Sequence, residues 1–546
     1  MYQLSVRLLG VFSLFALAAC SDGSRTEPAS NDADPDSPPE VVLIGVDGAE
    51  WQVIEDMVER GELPGFARLM DEGAFGHLIN PGPQVSPVVW TTFATGHFGT
   101  EHGILDFVYP FSKGSGKQPV DVSLRRQPAL WNVLDAHDMQ STVIGYFVSW
   151  PAEAIDGRIV SDRAFQNLDH AVWPETLEPV SQEVRRSVFR EESSLYERFF
   201  PWPYEAAQAE DESSPYHFAA KMVEGRVDSR IRSDEYLRRM TDHLFDEPAD
   251  LLVSYLRIVD IVSHSLWKYY DASDWEEKPA SEKVELLGGV LEESYRYADE
   301  LIQQALETYG GRSNIFVISD HGFGSGTGRY QPRASDLLTG NHRPNGIFLA
   351  HGPAIEPGRA EPITIMEIYP TLAYLLDVPI SDEIPGSVAY ALIAEAFSEE
   401  RSPHFVERYD FNWNAPGAQE VDADAQAEEM ESLRGLGYIG EGVTLADASS
   451  AGEFDFWGAE TRLLVGNLHG NVVYYLIQEN RAAADAATNA LKRNAPHLLP
   501  QLLARVRAKV HSLRRELPDG DGLAPGMEDF IEAHQGTASG EPTEAE

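Results

Sequence analysis

The sequence predicts an α/β fold: a mainly parallel sheet flanked by helices, with a helical insertion and a C-terminal helical appendage. Three observations predict it. Apolar, β-branched runs recur at 41–46, 142–147, 251–258, 314–318 and 346–350, and such continuous runs suit strands buried on both faces. Helical patterns fall between the runs, and strands alternating with helices argue for parallel crossover units. Carboxylates and imidazoles sit just past the carboxyl ends of several runs, where open α/β sheets bind ligands.

The elements follow in chain order. Arg7 precedes an apolar run over 8–17, then Ala18, Ala19 and Cys20. A short positive region, an apolar stretch and small residues before a cut site make a secretory signal over 1–19, too short for a comfortable membrane span. Leu17-Ala18-Ala19-Cys20 resembles the lipobox of bacterial lipoproteins, in which the cysteine is lipidated and becomes the mature N-terminus. Ser21 follows, with no Asp in that place. The resemblance then implies delivery to the periplasmic face of the outer membrane, anchored through the lipid alone. Residues 20–39, rich in Ser, Asp, Pro and Glu, read as a flexible tether to a domain over 40–411. In that domain, 64–72 reads as a helix closed by Gly73. Residues 283–309 carry Leu286, Leu287, Val290, Leu291, Tyr295, Leu301 and Ala305 at helical spacing, and 370–376 continue the alternation. Residues 165–245 break the rhythm with Glu, Arg, Pro and the aromatics Phe199, Phe200, Trp202 and Tyr204. They read as a helical insertion capping the site, the aromatics serving to bury area. Residues 412–459 read as a linker, and 460–515 as two helical patterns with Pro500 breaking the second. Residues 516–546 read as an acidic, disordered tail.

A chain of 546 residues exceeds one ordinary domain, and 43% apolar with 24% charged residues is a globular composition. Asp and Glu number 88 against 42 Lys and Arg, for a net charge of −46. A field of that sign repels nucleic-acid phosphates, so no nucleic-acid partner is expected. An anionic substrate must meet strong local positive charge, and the scarcity of basic residues points to metal ions. The sole cysteine, Cys20, excludes an intramolecular disulfide and a Cys-rich zinc site.

The chemistry-bearing residues are placed by the strands. Asp47 ends the first run, before Gly48. Asp260 and His264 follow the run over 251–258; Asp320 and His321 follow that over 314–318; His342 precedes that over 346–350. Carboxylate and imidazole are oxygen and nitrogen ligands of zinc. One such residue in a loop is ordinarily structural, but the same chemistry at four strand ends is not easily accidental. Ser86 opens a helical pattern as its N-cap, with Pro87 as first residue and Gly96 as exit. Its hydroxyl either caps the helix or, beside a metal at an anion-favouring helix N-terminus, attacks phosphorus.

Five motifs run in order: Val-Asp-Gly at 46–48, Ser-Pro-x-x-Trp-Thr-Thr-Phe-x-Thr-Gly at 86–96, His-Gly-Ile at 102–104, Asp-x-x-x-His at 260–264 and Ser-Asp-His-Gly at 319–322. Over roughly 40–395 the chain resembles the alkaline phosphatase superfamily, and within it the type I phosphodiesterase/nucleotide pyrophosphatase family. His342, in Gly-Asn-His-Arg-Pro-Asn-Gly, matches that family's last metal-ligating histidine, and 367–372 resembles a structural helix near the end of these domains. The resemblance implies an alkaline-phosphatase-like fold and a zinc-dependent hydrolase of phosphate esters. It implies two Zn2+, for which other divalent metals could stand: one held by Asp260, His264 and His342, the other by Asp47, Asp320, His321 and the Ser86 oxygen. Ser86 would be the nucleophile of a covalent phosphoseryl route on a phosphorylated small molecule or lipid headgroup.

Many relatives carry an Asn three positions after the nucleophile, where this chain has Val89, so the choice between monoesters and diesters stays open. Arg163, in Ser161-Asp162-Arg163, is a candidate for a substrate oxygen and would favour monoesters; His102 and Trp90 read as structural. A sulfatase would need Pro two positions after the nucleophile and then Arg, whereas Pro87 directly follows Ser86. A phosphoryl transferase or mutase, or a non-catalytic, lipid-anchored protein binding through its C-terminal helices, remains the alternative.

Overall fold

The strand Val41–Val46 lies inside a 10-stranded sheet. The computed structural model describes residues 39–110, 117–200, 202, 215–223, 227–326, 338–419, 421, 426–427, 429–431, 433, 456–516 and 526–535. The strand order is Gly358–Arg359, Ala74–Ile79, Asn345–His351, Asn314–Ile318, Val41–Val46, Leu251–Leu256, Ser141–Ile144, Gly157–Val160 and Val172–Trp173, with Ile363–Thr364 paired to Ala74–Ile79 beside this path. Val41 faces Leu251 on one side and Asn314 on the other, both in parallel register. Ser141–Ile144 and Gly157–Val160 extend the parallel block. Asn345–His351 runs antiparallel to both of its neighbours. Every residue of Val41–Val46, Leu251–Leu256 and Asn314–Ile318 is buried, which is why these runs lack alternation. Because the three adjacent strands run parallel, their carboxyl ends emerge at one sheet edge. That edge receives Asp47, Asp320 and the start of the helix Ile258–Tyr270. The expected α/β class with its helical layers and C-terminal helices is therefore met.

Several local expectations change. The run over 251–258 is a strand only to Leu256; Ile258 already opens a helix. An apolar run cannot by itself separate a buried strand from a buried helix. Asp260 and His264 thus stand four apart on a helix instead of in a loop. Gly73 closes Pro64–Glu72 as expected, but with an extended φ of −127°, so no left-handed cap requires it. A Cβ there would lie 2.1 Å from the Ala350 carbonyl oxygen, and that close approach is what demands glycine.

The stretch over 165–245 contains the helices Glu178–Arg190, Glu192–Phe199, Pro215–Val223 and Asp228–Leu244. The last is no cap. Tyr236, Leu237 and Met240 are buried in the main core, and Thr241 Oγ1 lies 2.8 Å from Ser254 Oγ of the sheet. Phe199, Phe200 and Trp202 are buried packing, as expected; Tyr204 lies outside the described residues. The expected linker over 412–459 also changes. Met430 and Leu433 are buried against Phe107 and Val108, and Trp413 Nε1 donates to Glu153 Oε1 at 3.0 Å. Its polar composition hid a few apolar anchors.

This main unit spans Asp32–Asn80 and Gln84–Glu460; a second holds Pro81–Pro83 and Thr461–Glu546. The helices Arg481–Asn494, Leu499–Glu516 and Met527–Gln535 belong to the second. The α-helix Arg481–Asn494 ends at Ala495 and a 3-10 turn, Pro496–Leu498, follows, so the break comes before Pro500, which sits in the first turn of Leu499–Glu516. Proline is tolerated there because its missing N–H would have had no helical partner. Met527–Gln535, with Phe530 and Ile531 fully buried, corrects the expectation of a wholly disordered tail. Among the described residues no helix is long and apolar enough to cross a membrane.

Candidate active site

The parallel edge gathers the six predicted metal-ligating side chains. Asp47 is fixed through one oxygen: Oδ2 accepts from the Tyr255 hydroxyl and, at 3.2 Å, from Trp90 Nε1. Its Oδ1 lies 3.4 Å from His321 Nε2. The His321 ring sets Nδ1 3.1 Å from the Gly322 carbonyl oxygen, which turns Nε2 inward. Asp320 Oδ2 is 3.4 Å from that nitrogen. Asp260 Oδ1 lies 3.4 Å from His264 Nε2, 3.2 Å from His342 Nε2 and 3.8 Å from His321 Nε2. His342 sits on a hairpin strand, Gly340–Arg343, opposite Phe323. Its Nε2 is 2.9 Å from His264 Nε2.

Two trios each bring donor atoms within 4.8 Å of one another: Asp47, Asp320 and His321; and Asp260, His321 and His342. The first trio is the expected one. In the second, His321 takes part where His264 was expected, and His264 joins through its approaches to Asp260 and His342.

The electrostatics fit a cation. Asp47 is raised well above the ordinary carboxylate value by burial and by Asp320 and Asp260. Burial, with repulsion from Asp260, pushes Asp320 up to about 7. Burial acts to raise Asp260 too, but His264 and His342 hold it well below the ordinary value. Burial lowers both His264 and His321, keeping the imidazoles neutral and ready to donate lone pairs. Asp47 Oδ1, both Asp320 carboxylate oxygens and His321 Nε2 are buried without a hydrogen-bond partner. Orphaned buried groups are costly unless something satisfies them. Oxygen and nitrogen donors converging in this way suit divalent metal ions.

Ser86 is the first residue of Ser86–Thr95; Val85 is the N-cap, and no side chain caps this end. The structure thus moves Ser86 one place from the expected cap and leaves its hydroxyl uncommitted. The Oγ is buried with no hydrogen-bond partner. It faces the Asp320 carboxyl closely enough to lower its pKa, short of a formed bond. Gly96 ends the helix, as the sequence predicts, and does so in the left-handed region at φ 72°. Val89 is buried in the helix packing.

Arg163 is 6% exposed; its guanidinium lies 4.8 Å over the Trp150 ring, and Nε donates to Gln166 Oε1 at 3.0 Å. His102 is structural: burial lowers it to about 3, and Nδ1 accepts from the Ile104 amide at 3.2 Å. Trp90 is more than structural, because its N–H orients Asp47. Cys20 lies outside the described residues. Sequence reasoning missed Tyr255, Ser319 and Asn80. Ser319 Oγ accepts from the Ala49 amide at 2.9 Å and donates to the His321 carbonyl at 2.8 Å, while Asn80 Nδ2 donates to the Asp320 carbonyl at 3.1 Å. Ser319 stood in the Ser-Asp-His-Gly motif and could have been found; nothing local marks Asn80.

The family model described as type I phosphodiesterase / nucleotide pyrophosphatase matches residues 41–376, which include all six residues and Ser86. The chain belongs to this family. Membership supports phosphoester hydrolysis and agrees with the motifs on which the resemblance rested. Among solved structures, human ectonucleotide pyrophosphatase/phosphodiesterase 5 is 14% identical, with 65% of this chain and 100% of that chain covered and a TM-score of 0.37. An inactive form of the murine protein, in complex with AMP, is 14% identical over the same shares, with a TM-score of 0.38. A substituted form of the alkaline phosphatase PafA is 13% identical, covering 65% of this chain and 99% of that one, with a TM-score of 0.42. No curated protein matches the chain in sequence.

Proposed function

We propose that the chain is a metal-dependent phosphoester hydrolase with Ser86 as nucleophile. Asp47, Asp260, His264, Asp320, His321 and His342 would hold two zinc ions, with other divalent ions able to stand in. The observation that carries this reading is the Ser86 hydroxyl, buried and unpartnered, facing the orphaned Asp320 carboxyl. Divalent ions bound there would supply Lewis-acid stabilisation of the attacking and leaving oxygens. Ser86 Oγ forms a bond to phosphorus as the ester oxygen leaves, giving a phosphoseryl group. Water then takes the phosphoryl group and restores the hydroxyl. The N-terminus of Ser86–Thr95 favours the anionic phosphoryl group during both steps. Tyr255 and Trp90 hold Asp47 in one orientation. The family description names phosphodiesters and pyrophosphates, while Val89 in place of Asn fits monoesters. The substrate class is a phosphorylated small molecule or lipid headgroup, met at the cell envelope by a protein anchored through lipidated Cys20.

Ser86→Ala separates nucleophile from structural residue. With metal-replete protein and p-nitrophenyl phosphate and bis-p-nitrophenyl phosphate as substrates, turnover should fall by on the order of 10³-fold or more. The melting temperature should hardly move, since no cap is lost. Near-parental turnover in Ser86→Ala would sink the covalent route, and elemental analysis finding no metal would sink the metal centre.

A further inference from the structure

The two halves of the proposed metal centre are supported differently. Asp47 and Asp320 follow the strands Val41–Val46 and Asn314–Ile318, which pair directly in parallel register inside the sheet. Asp260 and His264 stand on the helix Ile258–Tyr270, whereas His342 stands on Gly340–Arg343, a strand of a separate two-stranded hairpin. Helix and hairpin nevertheless bring the Nε2 atoms of His264 and His342 to 2.9 Å. Thr339, the residue before the strand, ties the two elements together and is 1% exposed. Its amide donates to the His264 carbonyl oxygen at 2.7 Å. Its hydroxyl accepts from the Lys268 amide at 3.2 Å and donates to the Ser265 carbonyl oxygen at 2.9 Å. In an α-helix an amide pairs with the carbonyl four residues before it, so Lys268 and His264 are the two ends of one rung. Thr339 bonds both ends of that rung, a side chain keyed into the helical ladder at a proposed ligand. Gly340 continues the contact: a Cβ there would lie 2.2 Å from the Ser263 carbonyl oxygen, so the strand backbone rests directly on the helix. At the far end of the strand, Arg343 Nη1 donates to Glu50 Oε1 at 3.1 Å. The Arg343 side chain is 38% exposed, and an ion pair so open to water anchors weakly. The buried tie is therefore the one at Thr339.

We propose that Thr339 is a positioning residue that fixes the spacing of His264 and His342, and so sets the affinity of one metal ion of the pair without altering the other. This rests on the reading that the centre holds two divalent ions. Asp47 and Asp320 draw their placement from the sheet and do not need the tie. Asp260, His264 and His342 come from two elements that must be held in step, and Thr339 does so through the peptide group of His264 itself.

The test is release of zinc from zinc-loaded, full-length protein, dialysed against chelator buffers of graded free zinc and followed by elemental analysis. Thr339→Val keeps the shape and the amide of Thr339 but removes the hydroxyl. One ion per chain should then leave at a free zinc level about tenfold or more above that of the parent, the scale of losing a group that orients a ligand. The other ion should leave at the parental level. Thr339→Ser, which restores the hydroxyl, should return both ions to the parental levels. Thermal melts of the chelator-treated proteins check the fold, and Thr339→Ala repeats the measurement if the valine variant does not melt cooperatively. A residue that merely filled space would lower the melting temperature and leave zinc release unchanged. Two ions in the parent that shift together in the variants, or do not shift at all, would overturn the role of Thr339 and leave the metal centre standing. A parent that binds no metal would overturn the centre and this role with it.

Discussion

Asp47 shows how single side chains tune the centre. Trp90 and the Tyr255 hydroxyl both donate to Oδ2, leaving Oδ1 turned toward His321. Partners of this kind orient ligands, and losing one typically costs about 10–100-fold in metal affinity. Trp90→Phe keeps most of the ring and removes only the donor. Metal affinity, measured by competition with a chelator, should fall by about tenfold, at the low end because Tyr255 remains. If Trp90 merely filled space, the variant would melt lower and hold metal as the parent does. The candidate ligands were legible from sequence because each stands in a short motif close to a buried apolar run. Tyr255 was not, since it lies inside an apolar run, and only the parallel register places it opposite Gly45 beside Asp47.

At the scale of elements, two helices are held by buried aspartates from elsewhere in the chain. Ile258–Tyr270 has no side-chain cap of its own; Asp234 accepts from the Arg257 and Ile258 amides. Pro64–Glu72 likewise lacks a local cap, and Asp299 takes the Gly65 and Phe66 amides at 3.1 and 2.8 Å. Each carboxylate satisfies N–H groups that have no partner inside the helix and places negative charge at its positive end. The helices were readable from apolar spacing, but caps drawn from distant helices leave no local signal. The two devices predict different outcomes. Asp234→Ala and Asp299→Ala should each cost about 1–3 kcal/mol, the penalty for stranding buried donors, read as a lower denaturant midpoint. Only Asp234→Ala should also lower metal content, because its helix carries Asp260 and His264. Equal metal content in the two variants would separate the Asp234 anchor from the centre.

For the whole molecule, the net charge of −46 and the buried carboxylate cluster act in the same direction: both favour the binding of positive ions. The proposed lipid anchor has a simple check. Cys20→Ala should move the protein from membrane to soluble fractions of a Gram-negative host, and unchanged membrane partitioning would defeat it. The cluster gives a pH prediction whose sign follows from Asp320. Its pKa rises from the ordinary 3.8 to about 7, through burial and then repulsion from Asp260. Between those values the metal-free folded protein holds a proton that the unfolded chain has released. The resulting contribution to stability is fully present below the unfolded value and is lost as pH rises through about 7. Asp47, also raised, acts in the same sense. Metal ions compete for these oxygens, so their uptake should release protons and strengthen with rising pH. The gap in melting temperature between metal-loaded and chelator-treated protein should therefore widen from pH 5 to pH 8, with the chelator-treated form losing stability over that range. Titration calorimetry in buffers of different ionisation enthalpy should count protons released near pH 6. A gap that stays constant with pH, with no proton release, would mean that Asp47 and Asp320 do not meet the metal.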